Sequence, residues 1–251
     1  MPFSWIFATL GVPTGTAGKE VFTMRETARK NLLTGAGLLG VFAVWTLLIQ
    51  RVDVQATGPM GSTIGFAAFN TSVHRLTGVH MRIYTITDWL GLVPIGICIC
   101  FGALGLMQLI KRRSLLRVDA DLILLGIYYA LVIAVYLFFE MIPINYRPVL
   151  IEGRLEASYP SSTTLLVLSV LPTLVFQMNR RTEHTLLRRT VCSFATVFSA
   201  FMVLGRLVSG VHWATDIIAS VLLSGGLFLI YQSAVLYLDS HKEERWNSTK
   251  N

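Results

Sequence analysis

The residues best suited to chemistry lie close together near the end of the chain, in the stretch GRLVSGVHWATD from Gly205 to Asp216. His212 precedes Asp216 by one helical turn, so on a helix the two share a face. A carboxylate beside an imidazole fixes its tautomer and makes the free ring nitrogen a better nucleophile. Arg206 adds a permanent cation suited to a phosphate oxygen. All three stand between strongly apolar segments, where ionisable side chains are costly and mark function. The bland alternative is that Arg206 and Asp216 merely flank membrane helices, with His212 at the interface.

Two upstream pieces weigh against that alternative. Arg147-Pro148 follows one apolar segment, and Tyr159-Pro160-Ser161-Ser162-Thr163 opens another. Hydroxyls and free backbone N–H groups at a helix start bind phosphate, which makes Ser161, Ser162 and Thr163 candidate phosphate ligands. Arg147 and Arg206 suit clamping of non-bridging oxygens, where charge builds in a transition state. His212 is then the candidate nucleophile at phosphorus. Asp216 holds its other ring nitrogen and stabilises a charged phosphohistidine. No metal cluster is apparent, because His212 and Asp216 alone make a poor ligand set.

The elements that must carry these residues are membrane helices. Of 251 residues, 53% are hydrophobic and 14% charged, and the mean hydropathy is +0.61. That is membrane composition. The net charge of +7 does not indicate nucleic acid, because the basic residues cluster between apolar runs long enough to span a bilayer. Cys98, Cys100 and Cys192 all fall inside apolar segments and read as inert thiols.

Six spans are expected, over residues 31–50, 89–110, 122–144, 162–178, 191–208 and about 212–238. Pro172 is a candidate kink in the fourth. Residues 62–79 have the pattern of a short amphipathic helix on the membrane surface. The fold class is therefore all-α, a polytopic bundle of six transmembrane helices. Residues 1–30 read as a cytoplasmic or interfacial segment, 31–238 as one membrane domain and 239–251 as a cytoplasmic tail. Fifteen of the 21 basic residues fall on the side that holds both termini, and six on the other. The positive-inside rule puts both termini in the cytoplasm. It also puts Arg147, residues 160–163 and residues 206–216 at helix ends on one extracytoplasmic face. Three pieces far apart in sequence then share one depth, as a single site requires.

The three pieces together resemble the type 2 phosphatidic acid phosphatase family. Its signature is lysine, six residues, Arg-Pro; then Pro-Ser-Gly-His; then Ser-Arg, five residues, His, three residues, Asp. Arg147-Pro148, Pro160-Ser161, Arg206, His212 and Asp216 match in order and spacing. Glu140 stands in place of the lysine, Ser162-Thr163 in place of Gly-His, and Gly205 in place of the serine. The resemblance spans roughly residues 90–238. It implies a six-helix membrane fold, His212 as nucleophile with Asp216 as its partner, and Arg147 and Arg206 as phosphate ligands. It also implies no metal or other cofactor, and a lipid phosphate or diphosphate substrate of the phosphatidate or polyprenyl diphosphate type. The expected protein is a multi-pass plasma-membrane lipid phosphatase with an extracytoplasmic site and no nucleic-acid partner. A lipid phosphotransferase using the same histidine, and a catalytically weakened phospholipid-binding or transport protein, are the alternatives. A soluble haloperoxidase of similar site does not fit six spans.

The departures bear on the leaving group. The family histidine replaced by Thr163 protonates it, and a threonine is no useful acid near neutral pH. Expelling a diphosphate's leaving phosphate needs less help than expelling an alkoxide, so the replacement favours a diphosphate. Glu140 either makes a salt bridge to Arg147 or Arg206 or serves as a substitute acid. His74 and His80 are further candidates for that acid, with surface positions in the first outer loop as their plainer reading.

Overall fold

The computed structural model describes residues 17–250, so residues 1–16 of the expected N-terminal segment lie outside the described residues. Eight α-helices form among the described residues, with no strand beyond isolated bridges. They are α1 (Ala17–Ile49), α2 (Ala67–Thr77), α3 (Met81–Leu90), α4 (Leu92–Arg112), α5 (Ala120–Met141), α6 (Ser162–Arg181), α7 (Thr185–Val208) and α8 (Ala214–Lys250). Six stretches are long and apolar enough to cross a membrane: Val21–Ile49, Met81–Arg112, Ala120–Met141, Ser162–Arg181, Thr185–Val208 and Ala214–Thr249. The protein is an all-α, multi-pass membrane protein.

Burial sorts the helices into a centre and a rim. Thirteen of the 20 residues of α6 are buried, which makes it the axis of the bundle. It runs without interruption through Pro172. The rim helices turn apolar side chains outward instead, among them Leu33 and Val44 on α1, Ile99 and Leu106 on α4, Ile133 on α5 and Val197 on α7. Such a surface suits lipid contact and not water.

The second span differs from the expected one. It begins at Met81 and is divided into α3 and α4 at Gly91. Pro94 lacks the N–H that would reach the carbonyl of Leu90, so the ladder breaks there. The consequence is that Tyr84, Thr87 and Asp88 sit on a helix facing the bundle, where a loop was expected. The helix expected over 62–79 forms as α2, but it is no mere surface helix. Asn70 is fully buried, and its side chain bonds to Thr215 Oγ1 (2.9 Å) and to the Gly65 carbonyl (2.8 Å).

The first and last spans are longer than expected because they pair. Asn31 Nδ2 donates to Gln232 Oε1 (3.0 Å), Ser233 Oγ to the Ala28 carbonyl (2.7 Å) and Trp45 Nε1 to the Thr215 carbonyl (3.2 Å). Hydrogen bonds between helices satisfy polar groups that lipid cannot. Arg25 meets Glu244 at 2.6 Å beyond the apolar region. The residues expected to form a polar tail from 239 therefore continue α8 to Lys250. The Arg25–Glu244 pair also places the start of α1 and the end of α8 at the same end of the bundle. At the opposite end lie the α1–α2 connection, the loop from α5 to α6 and the turn from α7 to α8.

Candidate active site

Three short segments build the site at that end. The first is the loop 142–161, folded back on itself as a finger. Arg147 N–H donates to the Glu156 carbonyl (3.0 Å), Ser158 N–H to the Asn145 carbonyl (2.9 Å), and Ile151 and Arg154 exchange bonds at its tip. Gly153, at φ +76°, turns the tip. This places the Arg147 guanidinium, 9% exposed, against the mouth of the bundle. Its Nε lies 3.0 Å from Glu156 Oε2, a charge contact outside hydrogen-bond alignment, and its Nη1 is buried without a partner.

The second is the turn between α7 and α8. Gly210 has φ +70°, and a Cβ there would lie 2.1 Å from the Gly78 carbonyl oxygen, so only glycine fits. The close approach lets His80 N–H reach the Ser209 carbonyl (3.0 Å), while His74 Nε2 lies 3.1 Å from the Gly210 carbonyl oxygen. The turn then delivers His212 just before α8 begins, not on it. His212 Nδ1 donates to the Ser158 carbonyl (3.0 Å). A carbonyl can only accept, so Nδ1 carries the hydrogen and Nε2 the lone pair in the neutral ring. Nε2 is buried with no partner. Burial, followed by the charges of Arg147 and Arg206, pushes the imidazole well below its ordinary value and keeps it neutral.

Asp216, fully buried, stands 3.9 Å from His212 Nδ1, beyond hydrogen-bond reach. Its Oδ2 accepts the Trp213 N–H (3.0 Å) and its Oδ1 the Asn145 side chain (3.3 Å). The first of these is the reciprocal half of a capping box at the start of α8. The Ser158 carbonyl thus takes the place on the imidazole that the His–Asp spacing assigns to Asp216.

The third segment is the end of α7. Arg206 is 1% exposed and stacks over the Tyr84 ring, 5.0 Å from its centroid. Its Nη1 lies 3.4 Å from Thr87 Oγ1 and 3.6 Å from Asp88 Oδ1, while Nε has no partner. Gly205 permits this. A Cβ at 205 would sit 2.7 Å from Thr87 Cγ2.

A cavity of about 300 Å³ opens between the end of α5, the finger, the start of α6 and His212, lined by Arg147, His212, Ser162, Glu156, Glu140 and Tyr136 among others, with Arg206 off its lining. Residues 141–239 match the PAP2 superfamily model. The fold is similar to the crystal structure of a transmembrane PAP2-type phosphatidylglycerolphosphate phosphatase from Bacillus subtilis. The match has a TM-score of 0.50 at 16% identity and covers 80% of this chain and 95% of that one. The two matches support a type 2 phosphatidic acid phosphatase-like family, and the matched residues 141–239 include all three segments of the site. A direct comparison with curated protein sequences gives no match.

Within this PAP2-like bundle, Arg147, His212, Ser162 and Glu140 come together on one cavity. Ser161 turns inward, its Oγ donating to Thr164 Oγ1 (3.1 Å) and its carbonyl accepting from Ser220 (2.9 Å). Thr163 is buried with its methyl toward Gly91. Glu140 is exposed and pairs with neither arginine, whose partners are Glu156 and Asp88. The His80 ring packs on the Thr77 carbonyl (2.9 Å), and His74 tilts against the Trp213 ring at 5.4 Å. Asp88, Tyr84 and Glu156 are the functional neighbours that sequence reasoning missed. An acidic residue at the edge of an apolar run was the available signal for Asp88.

Proposed function

We propose that the protein is an integral membrane phosphatase. In this reading it hydrolyses a lipid phosphate or diphosphate, of the phosphatidate or polyprenyl diphosphate type, through a phosphohistidine. The observation that carries it is the His212 Nε2 lone pair: buried, unpartnered and lining a cavity with the Arg147 guanidinium. Nε2 attacks phosphorus, and the P–O bond to the lipid breaks with its electron pair leaving on oxygen, which takes a proton. Arg147 and Arg206 neutralise charge on the non-bridging oxygens. Asp216 offsets the positive charge that the ring gains on phosphorylation. Water then attacks phosphorus, the P–N bond breaks, phosphate leaves and the imidazole returns to neutrality. The bias of basic residues supports cytoplasmic termini and an extracytoplasmic site in the plasma membrane. Residues 31–238 form the catalytic membrane domain in this reading, and the chemistry calls on no metal.

The test is phosphate release from lipid phosphates by purified protein, with acid-quenched trapping of a phosphorylated enzyme. His212→Ala is expected to lower turnover by about 10⁴-fold or more and to remove the phosphoenzyme. Turnover within a few-fold of wild type would exclude His212 as the nucleophile.

A further inference from the structure

The cavity beside His212 joins two opposite chemistries. One part suits an anion: His212 Nε2 and Arg147 Nη1 are buried, unpartnered and on its lining. The other part suits a cation. Glu140 and Glu156 bring two carboxylates to the same lining, and Tyr136 adds a ring. Tyr136 and Glu140 are one turn apart on α5 and share a face. Arg147 answers only Glu156, at 3.0 Å, and Glu140 has no ion pair among the described residues. A substrate that is purely anionic therefore meets one unopposed carboxylate. A diphosphate, with more negative charge, meets it at greater cost.

We infer that this cavity selects a zwitterionic phosphate ester, one whose carbon next to the ester carbon bears an ammonium group. The phosphate lies toward His212 and Arg147. The ammonium lies toward the Glu140 carboxylate and the Tyr136 ring, an ion pair combined with a cation–π contact. The inference rests on the proposed phosphatase reading and replaces its phosphatidate or polyprenyl diphosphate substrate with an ammonium-bearing lipid monophosphate. It also accounts for two departures together. Glu140, in place of a lysine, supplies the anion that an ammonium needs. Thr163 offers no acid, but a neighbouring ammonium withdraws electrons and makes the departing alkoxide a weaker base. Less protonation is then required of the protein.

The experiment compares long-chain 2-ammonioalkyl phosphate with the matched 2-hydroxyalkyl phosphate and an alkyl diphosphate, using full-length protein in detergent. The wild type is expected to favour the ammonium ester over the hydroxy ester by about tenfold in kcat/KM. Glu140→Gln, isosteric and at an exposed position, is expected to bring that ratio close to one, chiefly by raising KM for the ammonium ester. Equal wild-type kcat/KM for the two esters, a preference for the diphosphate, or a preference that survives Glu140→Gln would overturn the inference and leave the phosphatase reading standing. The wild-type ratio needs no variant to fold. Absence of phosphate release from all three substrates, with no trapped phosphoenzyme, would instead overturn the phosphatase reading and the inference with it.

Discussion

At the scale of single residues, the state of His212 sets how the site responds to acid. The buried ring sits near two guanidiniums, so its protonation is pushed well below the ordinary imidazole value of about 6.5. The acid limb of kcat/KM, corrected for the substrate's own ionisation, is expected below that value. Arg147→Gln removes one of the two charges and should move the limb back toward neutrality, besides lowering the rate. A wild-type limb at or above 6.5 would show that the ring is solvated in the free enzyme. The sign for stability follows from the same depression. Between the depressed value and about 6.5, the unfolded chain binds a proton that the folded chain excludes, so stability falls as pH drops through that window. That His212 and Arg147 share one cavity was legible from residue type and spacing, since few arrangements explain those groups between apolar runs. The orienting partner was not. It is the backbone carbonyl of Ser158, which carries no side-chain signature, and it reaches His212 only through the fold of the finger.

At the scale of elements, the contact of α3 with α7 is the feature that spacing alone did not reveal. Helix periodicity marked the apolar part of the second span but not the turns before it, where Arg82 and Asp88 interrupt the apolar pattern. Those turns hold Arg206, and Gly205 is what lets them approach. Gly205→Ser would restore the residue type of the family signature, yet its Cβ would lie 2.7 Å from Thr87 Cγ2. It is expected to destabilise the protein by about 1–3 kcal/mol and to reduce turnover by displacing the Arg206 guanidinium. Adding Thr87→Ser removes that methyl while keeping the hydroxyl beside Arg206, and should recover part of both losses. Thermal unfolding in detergent and kcat/KM for the single and double variants provide the check. A harmless Gly205→Ser would mean that α3 moves aside freely and does not fix Arg206.

At the scale of the whole molecule, the six-helix bundle was legible because lipid imposes a simple code of length and apolarity on each span. The lengths of the first and last spans were not, because their extensions are held by pairing with each other. The Arg25–Glu244 contact joins their ends. That pairing leaves one end of the bundle for the termini and the other for the finger, the α7–α8 turn and the cavity. Which end faces the cytoplasm then depends on charge. The loops at the termini end hold Lys111, Arg112, Arg113, Arg180, Arg181, Arg188 and Arg189, in addition to the basic residues near the termini themselves. In the proposed orientation this positive charge stays in the cytoplasm and the finger faces outside. In a background with Cys98, Cys100 and Cys192 replaced, Arg154→Cys at the exposed finger tip should react with a membrane-impermeant thiol reagent in intact cells. Glu183→Cys, exposed in the α6–α7 connection, should react only after the membrane is opened. The reverse pattern would invert the bundle and move the cavity to the cytoplasmic face. It would leave the geometry around His212 intact but require the substrate to reach it from the inner leaflet.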